Sequence, residues 1–529
     1  MDSDCDHCQL DRGADLHRDR VVVIGAGIGG LAAAAELSAR GVGVTIVERA
    51  EGVGGKMRQL DVAGRPIDAG PTVFTMKWVF DALFDAAGAS FDEMVSTERL
   101  GVISRNAWDG GEQLDLFEDA DATADAIGTF AGAEEAAGYR RFASDTATMF
   151  AIAKEPFLLS DRSTPALFAS RQGLATLARL KALETMWGAL GKYFRDERLR
   201  QLFGRYATYV GASPFETTAT LMLIAHVERD GCHTVSGGIY SIARALAGLA
   251  ERHGAEIRLG AEVSEITTSG GVADGVRLAD GTRIEADAVL CNADVSAIGA
   301  GLFGSAAARA VTPLKPQQRT LSGLTVAMLA RPEGLVPARH TVFFSADYRG
   351  EFRDLFQRRR LPADPTVYLC AQDRGAVGRG DTAALQGGEE RFLIVINAPA
   401  NADTRVTPNA EIELCRTRAL VRMERCGLRL ITDPERMITT TPEGFATLFP
   451  GSGGALYGKA MHGWAAAVGR PPARTRVPGL YIVGAGAHPG PGVPMVALSA
   501  RKASAAILSD FASRSRFHEV ATAGGMSML

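Results

Sequence analysis

The run Val21-Val22-Val23-Ile24-Gly25-Ala26-Gly27-Ile28-Gly29-Gly30 opens the recognisable part of the chain and decides its fold. Its first four residues are β-rich, and its glycines stand at G-x-G-x-x-G spacing. Residues 31–40 have helical character, and residues 44–47 form a second apolar strand that ends at Glu48. Strand, glycine loop, helix, strand and acid in this order predict the βαβ unit of a dinucleotide-binding fold.

The glycines of this first loop have separate physical tasks, and we predict that the whole loop, Gly29 included, binds the cofactor. Gly25 permits a tight turn, Gly27 lets the backbone approach a pyrophosphate, and Gly30 lets helix and strand pack closely. The free N–H groups at the helix start add positive potential for phosphate. Glu48 is predicted to accept hydrogen bonds from ribose hydroxyls, whereas a glycine-rich packing turn, the alternative, would not require it.

A second glycine loop lies near the other end of the chain. Residues 480–483 read as a buried strand that runs into Gly484-Ala485-Gly486-Ala487-His488-Pro489-Gly490-Pro491-Gly492-Val493-Pro494-Met495, followed by a helix to about residue 509. Pro494 suits the first helical position, where its missing N–H needs no partner. Two ligand-facing loops at opposite ends of the chain favour one cofactor gripped by both, and therefore FAD over NAD.

Further loops extend the predicted cofactor site. A second glycine pair follows Glu48, where Lys56 or Arg58 could neutralise phosphate charge, and the segment 68–74 continues the close backbone approach. The predicted cofactor contacts in these loops and in the C-terminal loop are Arg49, Gly54, Gly55, Lys56, Met57, Pro71, Thr72, Gly484, Gly486, Gly492, Val493, Pro494 and Met495.

Composition narrows the class of protein. The 529 residues predict two or three domains, and 46% hydrophobic with 22% charged residues predict a folded globular protein. A net charge of −4 gives no reason to expect nucleic acid, and seven irregularly spaced cysteines favour a reducing compartment. Cys5 and Cys8 form a lone C-x-x-C without a second pair nearby, so we expect a mobile tail and no metal. No run approaches the roughly 20 apolar residues of a spanning helix.

The segments 25–56, 68–74, 237–240 and 484–495 resemble the phytoene desaturase family of FAD-dependent carotenoid desaturases. The resemblance covers about residues 20–510, and the run Gly-x-His-Pro-Gly-x-Gly-Val-Pro is its most selective part. It implies an α/β fold class: a Rossmann-like FAD-binding domain of the glutathione-reductase/amine-oxidase type with an inserted α+β substrate domain. It also implies that the backbone of Val263 contacts the adenine side of FAD.

The resemblance further implies a discontinuous domain organisation. The expected parts are a disordered tail at 1–19, an FAD-binding domain from 20–75, 233–295 and 473–513, a substrate and membrane-contact domain from 76–232 and 296–472, and a flexible tail at 514–529.

The expected chemistry is desaturation of an acyclic carotenoid. An allylic carbon gives hydride to the flavin, and proton loss from the delocalised cation needs no strong base. We therefore assign no catalytic side chain, and interpret His488 as a residue that holds its loop by hydrogen bonding. The electron acceptor is unknown, with oxygen or a quinone as candidates.

Two segments narrow the expected substrate. Residues 493–501 and 454–464 resemble the hydroxyneurosporene desaturase branch, which forms the 3,4 double bond of 1-hydroxy- or 1-methoxy-carotenoids. Phytoene desaturation is the main alternative. An amine-oxidase-like flavoenzyme and a non-catalytic flavin or lipid carrier also stay open.

Residues 145–210 interleave apolar side chains with Arg and Lys. This pattern suits an interfacial helix on anionic lipid and equally suits packing inside the substrate domain. The family resemblance favours membrane contact, so we expect a cytoplasmic protein peripherally associated with the inner face of the membrane.

Overall fold

The computed structural model describes residues 19–160, 171–375, 388–463 and 469–523. The predicted N-terminal tail through residue 18, including Cys5 and Cys8, lies outside them, as does part of the 145–210 stretch. The α-helices of the described residues are α1 (Ile28–Ala39), α2 (Lys77–Ala86), α3 (Phe91–Met94), α4 (Ala120–Ala131), α5 (Ala133–Ala153), α6 (Arg171–Arg179), α7 (Met186–Leu190), α8 (Glu197–Gly204), α9 (Leu223–Arg229), α10 (Tyr240–Arg252), α11 (Val295–Gly299), α12 (Ser305–Ala308), α13 (Tyr348–Phe352), α14 (Asn409–Arg425), α15 (Pro442–Leu448) and α16 (Val493–Ala523).

The strands of the described residues form five sheets. In chain order they are β1 (Arg20–Ile24), β2 (Gly43–Val47), β3 (Gln59–Val62), β4 (Arg65–Asp68), β5 (Phe74–Thr75), β6 (Thr97–Arg99), β7 (Val102–Ala107), β8 (Gln113–Phe117), β9 (Cys232–Val235), β10 (Glu256–Arg258), β11 (Val263–Ser269), β12 (Val272–Leu278), β13 (Arg283–Glu285), β14 (Ala288–Cys291), β15 (Ser322–Gly334), β16 (His340–Phe343), β17 (Val367–Ala371), β18 (Glu390–Ala398), β19 (Leu428–Ile431), β20 (Met437–Thr440) and β21 (Leu480–Ile482).

A five-stranded parallel sheet of order β10-β2-β1-β14-β21 gathers strands from distant parts of the chain. Its strands are short apolar runs, as a parallel sheet buried on both faces requires. Helix α1 is buried almost along its full length between the sheet, α10 and α16. Its alanines have small side chains, which allow the sheet, α10 and α16 to pack closely around it.

An eight-stranded sheet follows the order β19-β15-β18-β17-β16-β7-β8, with β20 paired to β15. Helix α14 covers one face with Ile412, Cys415, Ala419 and Met423. The described residues of 120–229, which we call the helical segment, pack against Val342 on β16 and Phe344 directly after it. The smaller sheets are β11-β12-β13, β5-β9-β6 and the hairpin β3-β4.

Most predicted elements are confirmed, including the strands at 21–24, 44–47 and 480–483 and the helix near 31–40. The predicted helix end near residue 509 is wrong, because α16 continues to Ala523 and takes in residues 514–523 of the predicted flexible tail. Helix α16 begins at Val493, so Pro494 is its second residue instead of the predicted first.

The described residues of the 145–210 stretch form several helical segments instead of one interfacial helix. Leu180, Met186 and Leu190 are buried in the core between the helical segment and β16, whereas Leu183 is 77% exposed. Internal packing therefore accounts for much of this amphipathic pattern.

Candidate active site

The first glycine loop turns at the carboxyl end of β1. Gly25 has a φ of +97°, and its N–H donates to the Val47 carbonyl at 2.8 Å. A Cβ at Gly30 would lie 2.2 Å from the Gly25 carbonyl oxygen, and one at Gly27 would lie 2.8 Å from Asn292 Nδ2. Because no side chain fits, the loop exposes backbone N–H groups at the start of α1, as an anionic ligand requires.

The second glycine pair lies directly beside this loop. The Gly54 N–H donates to the Ala26 carbonyl at 2.8 Å, and a Cβ at Gly55 would lie 3.0 Å from the Gly27 Cα. Gly27 and Gly54 form a parallel bridge. The two glycine segments thus make one continuous backbone surface, with Met57 buried behind it.

Glu48 is oriented by the loop after β1 and the loop after β2. Its Oε2 accepts the Ala26 N–H at 2.7 Å and its Oε1 accepts the Ala50 N–H at 2.8 Å. A carboxylate has about four lone-pair sites, so about two remain for sugar hydroxyls. The backbone carbonyl of Glu48 accepts the Ala261 N–H at 2.8 Å, which brings the chain two residues before Val263 to this edge.

Asn292 is a site residue that sequence reasoning missed. It follows β14, and its Nδ2 donates to the Gly25 carbonyl at 3.3 Å. Its Oδ1 lies 2.6 Å from the position of a Cβ at Gly29 and 3.1 Å from one at Gly484. Asn292 therefore lies against both glycine loops. The available signal was its place at the end of a buried strand, since ligands bind at the carboxyl edge of parallel sheets.

Lys56 joins the cofactor loops to the rest of the chain. Its Nζ donates to the Leu456 carbonyl at 2.8 Å, lies 3.7 Å from Asp294 Oδ2 and sits 5.2 Å from the Phe449 ring centre. Burial lowers the pKa of Lys56, and Asp294 opposes that shift. Arg58 donates to Thr440 Oγ1 at 2.9 Å.

Arg49 lies at the outer end of the same loop. Its Nη2 donates to the carbonyls of Thr447 and, at 3.0 Å, Leu448. Both carbonyls belong to α15. Like the partners of Lys56 and Arg58, they connect the loop to the segment 440–456.

The C-terminal loop approaches the first loop through its initial glycines. The Gly484 N–H donates to Ser499 Oγ at 3.3 Å, and a Cβ at Gly486 would lie 2.7 Å from Val295 Cγ2. Gly492 has a φ of +116° and precedes α16. His488 is buried, and its ring meets Phe157 edge-on at 5.2 Å.

Pro71 and Thr72 belong to a half-buried loop after β4. Asp68 fixes it by accepting the Ile239 N–H at 2.7 Å, and a Cβ at Gly70 would lie 2.0 Å from the Lys56 carbonyl. Thr72 Oγ1 shares a hydrogen bond of 2.6 Å with the Tyr368 hydroxyl.

Thr72 is the first member of a polar group between the eight-stranded sheet and the helical segment. We call this group the polar seam; its members are Thr72, Arg205, Tyr209, Glu228, His340 and Tyr368. The Tyr368 hydroxyl is also 2.7 Å from His340 Nδ1. Burial, with Arg339 and Arg205 nearby, holds the pKa of His340 well below its usual range, so its imidazole is neutral at pH 7. Sequence reasoning missed the seam because its members lie far apart in the chain.

Comparison with known proteins places the chain. A sequence profile of flavin-containing amine oxidoreductases matches residues 28–327. The chain belongs to this family. It is 45% identical to hydroxyneurosporene desaturase from Rubrivivax gelatinosus over 97% of each chain. It is 31% identical to phytoene desaturase (neurosporene-forming) from Rhodobacter capsulatus, over 90% of this chain and 91% of the relative.

The fold and cofactor class follow from this membership. An oxidoreductase of known structure from Methanosarcina mazei aligns with a TM-score of 0.56 at 19% identity, over 91% of this chain and 99% of that one, and shares its fold. The predicted α/β class and FAD cofactor are confirmed, and the protein is an FAD-dependent oxidoreductase of the family. The glycine cradle, which a Cβ would fill, fits a dinucleotide.

Proposed function

We propose that the protein desaturates acyclic carotenoids, forming the 3,4 double bond of substrates that carry a 1-hydroxy or 1-methoxy group. The observation that carries the proposal is full-length similarity to hydroxyneurosporene desaturase, at 45% identity. Similarity to phytoene desaturase is lower, at 31% identity, and makes phytoene the competing substrate.

The cofactor contacts are part of the same proposal. FAD would lie on the backbone surface made by Gly25, Gly27, Gly29 and Gly30, with Glu48 at the ribose. The remaining proposed contacts are Arg49, Gly54, Gly55, Lys56, Met57, Pro71, Thr72, Val263, Gly484, Gly486, Gly492, Val493, Pro494 and Met495. Contact between the two glycine loops at Asn292 supports this placement.

The domain division is proposed on the same grounds. We assign residues 20–75, 233–295 and 473–513 to the FAD-binding domain and residues 76–232 and 296–472 to the substrate domain. The five-stranded sheet takes its strands from the first set, and the eight-stranded sheet takes its strands from the second.

The roles of the chain's own groups follow from this placement. FAD held by these residues would supply the hydride-accepting group for the substrate's allylic carbon, and oxygen and a membrane quinone are the candidate electron acceptors. The N–H groups at the start of α16 would stabilise negative charge that grows at the cofactor. The buried sheet and helical segment would exclude water and hold the polyene in line. A delocalised carbocation loses its proton readily, so we assign no general base.

Membrane association is the last part of the proposal. None of the helices in the described part of the chain is both long enough and apolar enough to cross a bilayer. Leu183, 77% exposed, closely follows Lys181 in the chain, and Lys181 lines a cavity of about 560 Å³ together with Arg140, Arg141, Lys192 and Asp145 among others. An exposed apolar side chain beside basic groups suits the anionic surface of an inner leaflet, where we place the protein peripherally.

Vesicle binding tests that surface. Wild type should sediment with phosphatidylglycerol vesicles, and Leu183→Glu should reduce the bound fraction several-fold. Val406→Glu is the matched control, because Val406 is 79% exposed elsewhere on the surface. Equal binding by both variants would remove Leu183 from the contact.

Substrate competition tests the reaction. Phytoene and 1-hydroxyneurosporene are supplied together to the flavin-loaded enzyme, and the products are separated and identified by their absorption spectra. We expect one added conjugated double bond in the hydroxylated substrate and unchanged phytoene. Conversion of phytoene with the hydroxylated substrate untouched would reverse the assignment.

A further inference from the structure

The position of the oxygen in the proposed substrate constrains where its binding group must be. The oxygen is on C1 and the bond that is oxidised is C3–C4, so three covalent bonds join the oxygen to C3. With bonds of about 1.5 Å, the oxygen stays within about 4 Å of a reacting carbon. A protein group that recognises the oxygen must therefore lie beside the flavin, not along the remote part of the polyene.

The polar seam begins at such a place. Thr72 belongs to the loop that we propose to contact the cofactor, and its Oγ1 is 2.6 Å from the Tyr368 hydroxyl. Tyr368 and His340 lie on adjacent strands, β17 and β16, and Arg205 lies above Tyr368 with its guanidinium carbon 5.8 Å from the ring centre. The cofactor loop, the sheet and the helical segment thus meet at one group of polar side chains.

The seam has a half-buried front and a buried back. Thr72, Arg205, Tyr209 and Tyr368 all retain some exposed surface. Behind them, His340 and Glu228 are each only 3% exposed. Glu228 accepts from the hydroxyls of Tyr206 at 2.6 Å and Tyr209 at 2.5 Å, and so fixes the Tyr209 ring.

The seam holds more donors than its own acceptors use. A guanidinium has five N–H donors, and the Arg205 hydrogen bond found in the described residues runs from Nη2 to the Tyr209 hydroxyl at 3.1 Å. Glu228, the carboxylate that interacts electrostatically with Arg205, accepts its hydrogen bonds from Tyr206 and Tyr209. Among the described residues, His340 Nε2 is buried without a hydrogen-bond partner. Because Arg205 retains exposed surface, its remaining N–H groups are available to an oxygen of a ligand, and His340 Nε2 behind them is a buried atom that lacks the usual partner.

We propose that the polar seam binds the terminal oxygen of the substrate, with Arg205 as the donor and Tyr368 as its neighbour at the oxygen. The inference rests on the proposed function. Hydroxyl and methoxy oxygens both accept a hydrogen bond, and a guanidinium can only donate, so Arg205 serves both substrates. His340 and Glu228 are positioning residues, which hold Tyr368 and Tyr209 in place.

The test compares oxygenated and plain substrates in the full-length, FAD-loaded enzyme. Wild type, Arg205→Met and Tyr368→Phe receive an equimolar mixture of 1-hydroxyneurosporene and neurosporene, and the ratio of their conversion rates is measured. We expect the preference for the hydroxylated substrate to fall about tenfold or more in Arg205→Met and several-fold in Tyr368→Phe. Arg195→Met is the control, since Arg195 is a surface residue of the same helical segment and is 83% exposed.

The outcomes separate this inference from the function on which it rests. FAD content and melting temperature are measured for each variant, so a folding defect in Arg205→Met is recognised and Tyr368→Phe, which removes one hydroxyl, then decides. An unchanged ratio in folded variants overturns the seam's role but leaves the proposed function standing. If wild type converts phytoene alone, both proposals fail, because such a substrate has no terminal oxygen.

Discussion

The five-stranded sheet offers backbone to its ligand edge, whereas the eight-stranded sheet offers side chains. At the first edge, Gly27, Gly29 and Gly30 leave no room for a Cβ, and N–H groups face outward. At the second, Arg205, His340 and Tyr368 place charge, imidazole and hydroxyl between layers that are otherwise apolar. The first edge suits a cofactor of fixed shape, and the second suits discrimination between substrates.

Because of this difference, the two edges should tolerate substitutions differently. A cradle made of backbone fails when any side chain enters it. Substitution of a polar side chain that lies among apolar layers is expected to change substrate specificity or pH response while the fold is kept. Substitutions in the two regions should therefore differ in kind as well as in size.

The largest effect is expected from Gly30→Ala. The added Cβ would lie 2.2 Å from the Gly25 carbonyl oxygen and 3.1 Å from Val23 Cγ1, so α1 must move away from β1. We expect a loss of more than about 4 kcal/mol in the free energy of unfolding, together with loss of bound FAD. Flavin absorbance per protein and the melting temperature measure both.

Gly248→Ala in α10 is the matched control for that variant. A Cβ at Gly248 has nothing within 4 Å, and alanine favours a helix. Equal flavin content in Gly30→Ala and Gly248→Ala would show that FAD binding does not require a glycine at position 30.

Gly492→Val should act next most strongly, and on turnover more than on folding. The φ of +116° strains valine by about 1–3 kcal/mol, yet the nearest atom to its Cβ would be Met495 Cγ at 3.6 Å. We expect some FAD to remain on the N-terminal cradle while turnover falls by about 100-fold or more, since donors at the start of α16 are displaced.

Gly132→Val separates strain from position. Gly132 has a φ of +100° and open space around its Cβ, between α4 and α5. Its variant should lose some stability and keep its turnover per bound flavin. Wild-type turnover in Gly492→Val would place the α16 start away from the chemistry.

The smallest effect concerns a buried carboxyl beside the eight-stranded sheet. Glu351, 2% exposed, accepts from Thr366 Oγ1 at 2.6 Å, and burial raises its pKa from 4.5 to about 7. Between those pH values the folded protein keeps a proton that the unfolded chain has lost. Stability from this group is therefore full below pH 4.5 and is lost as the pH rises through about 7.

Denaturant titrations at pH 5 and pH 8 measure this loss, which should reach up to about 3 kcal/mol. Glu351→Gln should abolish that part of the pH dependence. Glu333→Gln, on β15 with its side chain 44% exposed, should leave it intact. The same pH dependence in wild type and Glu351→Gln would assign it to another group.

The five-stranded sheet and its glycine loop could be predicted from sequence because their signals are local. The glycine spacing, the apolar runs and Glu48 lie within one short segment, and the strands and loop followed from them. Helix α16 continues past the predicted end near residue 509 because residues 510–523 contain no glycine or proline that would stop it before Ala523. Asn292 was missed because a single amide after a strand carries no motif.

The polar seam beside the eight-stranded sheet could not be predicted in the same way. Thr72, Arg205 and Tyr368 are distant in the chain and meet through tertiary packing alone. Likewise, alternation of apolar and basic residues at 145–210 does not say which apolar side chains face inward. Leu180 and Met186 do, and Leu183 does not.

Anaerobic bleaching of the bound flavin shows which substrate class reduces it. The FAD-loaded enzyme is mixed without oxygen with 1-hydroxyneurosporene or with putrescine, and flavin absorbance is followed. We expect bleaching by the carotenoid, with formation of a product that has one more conjugated double bond, and no bleaching by the amine. Bleaching by the amine and not by the carotenoid would contradict it.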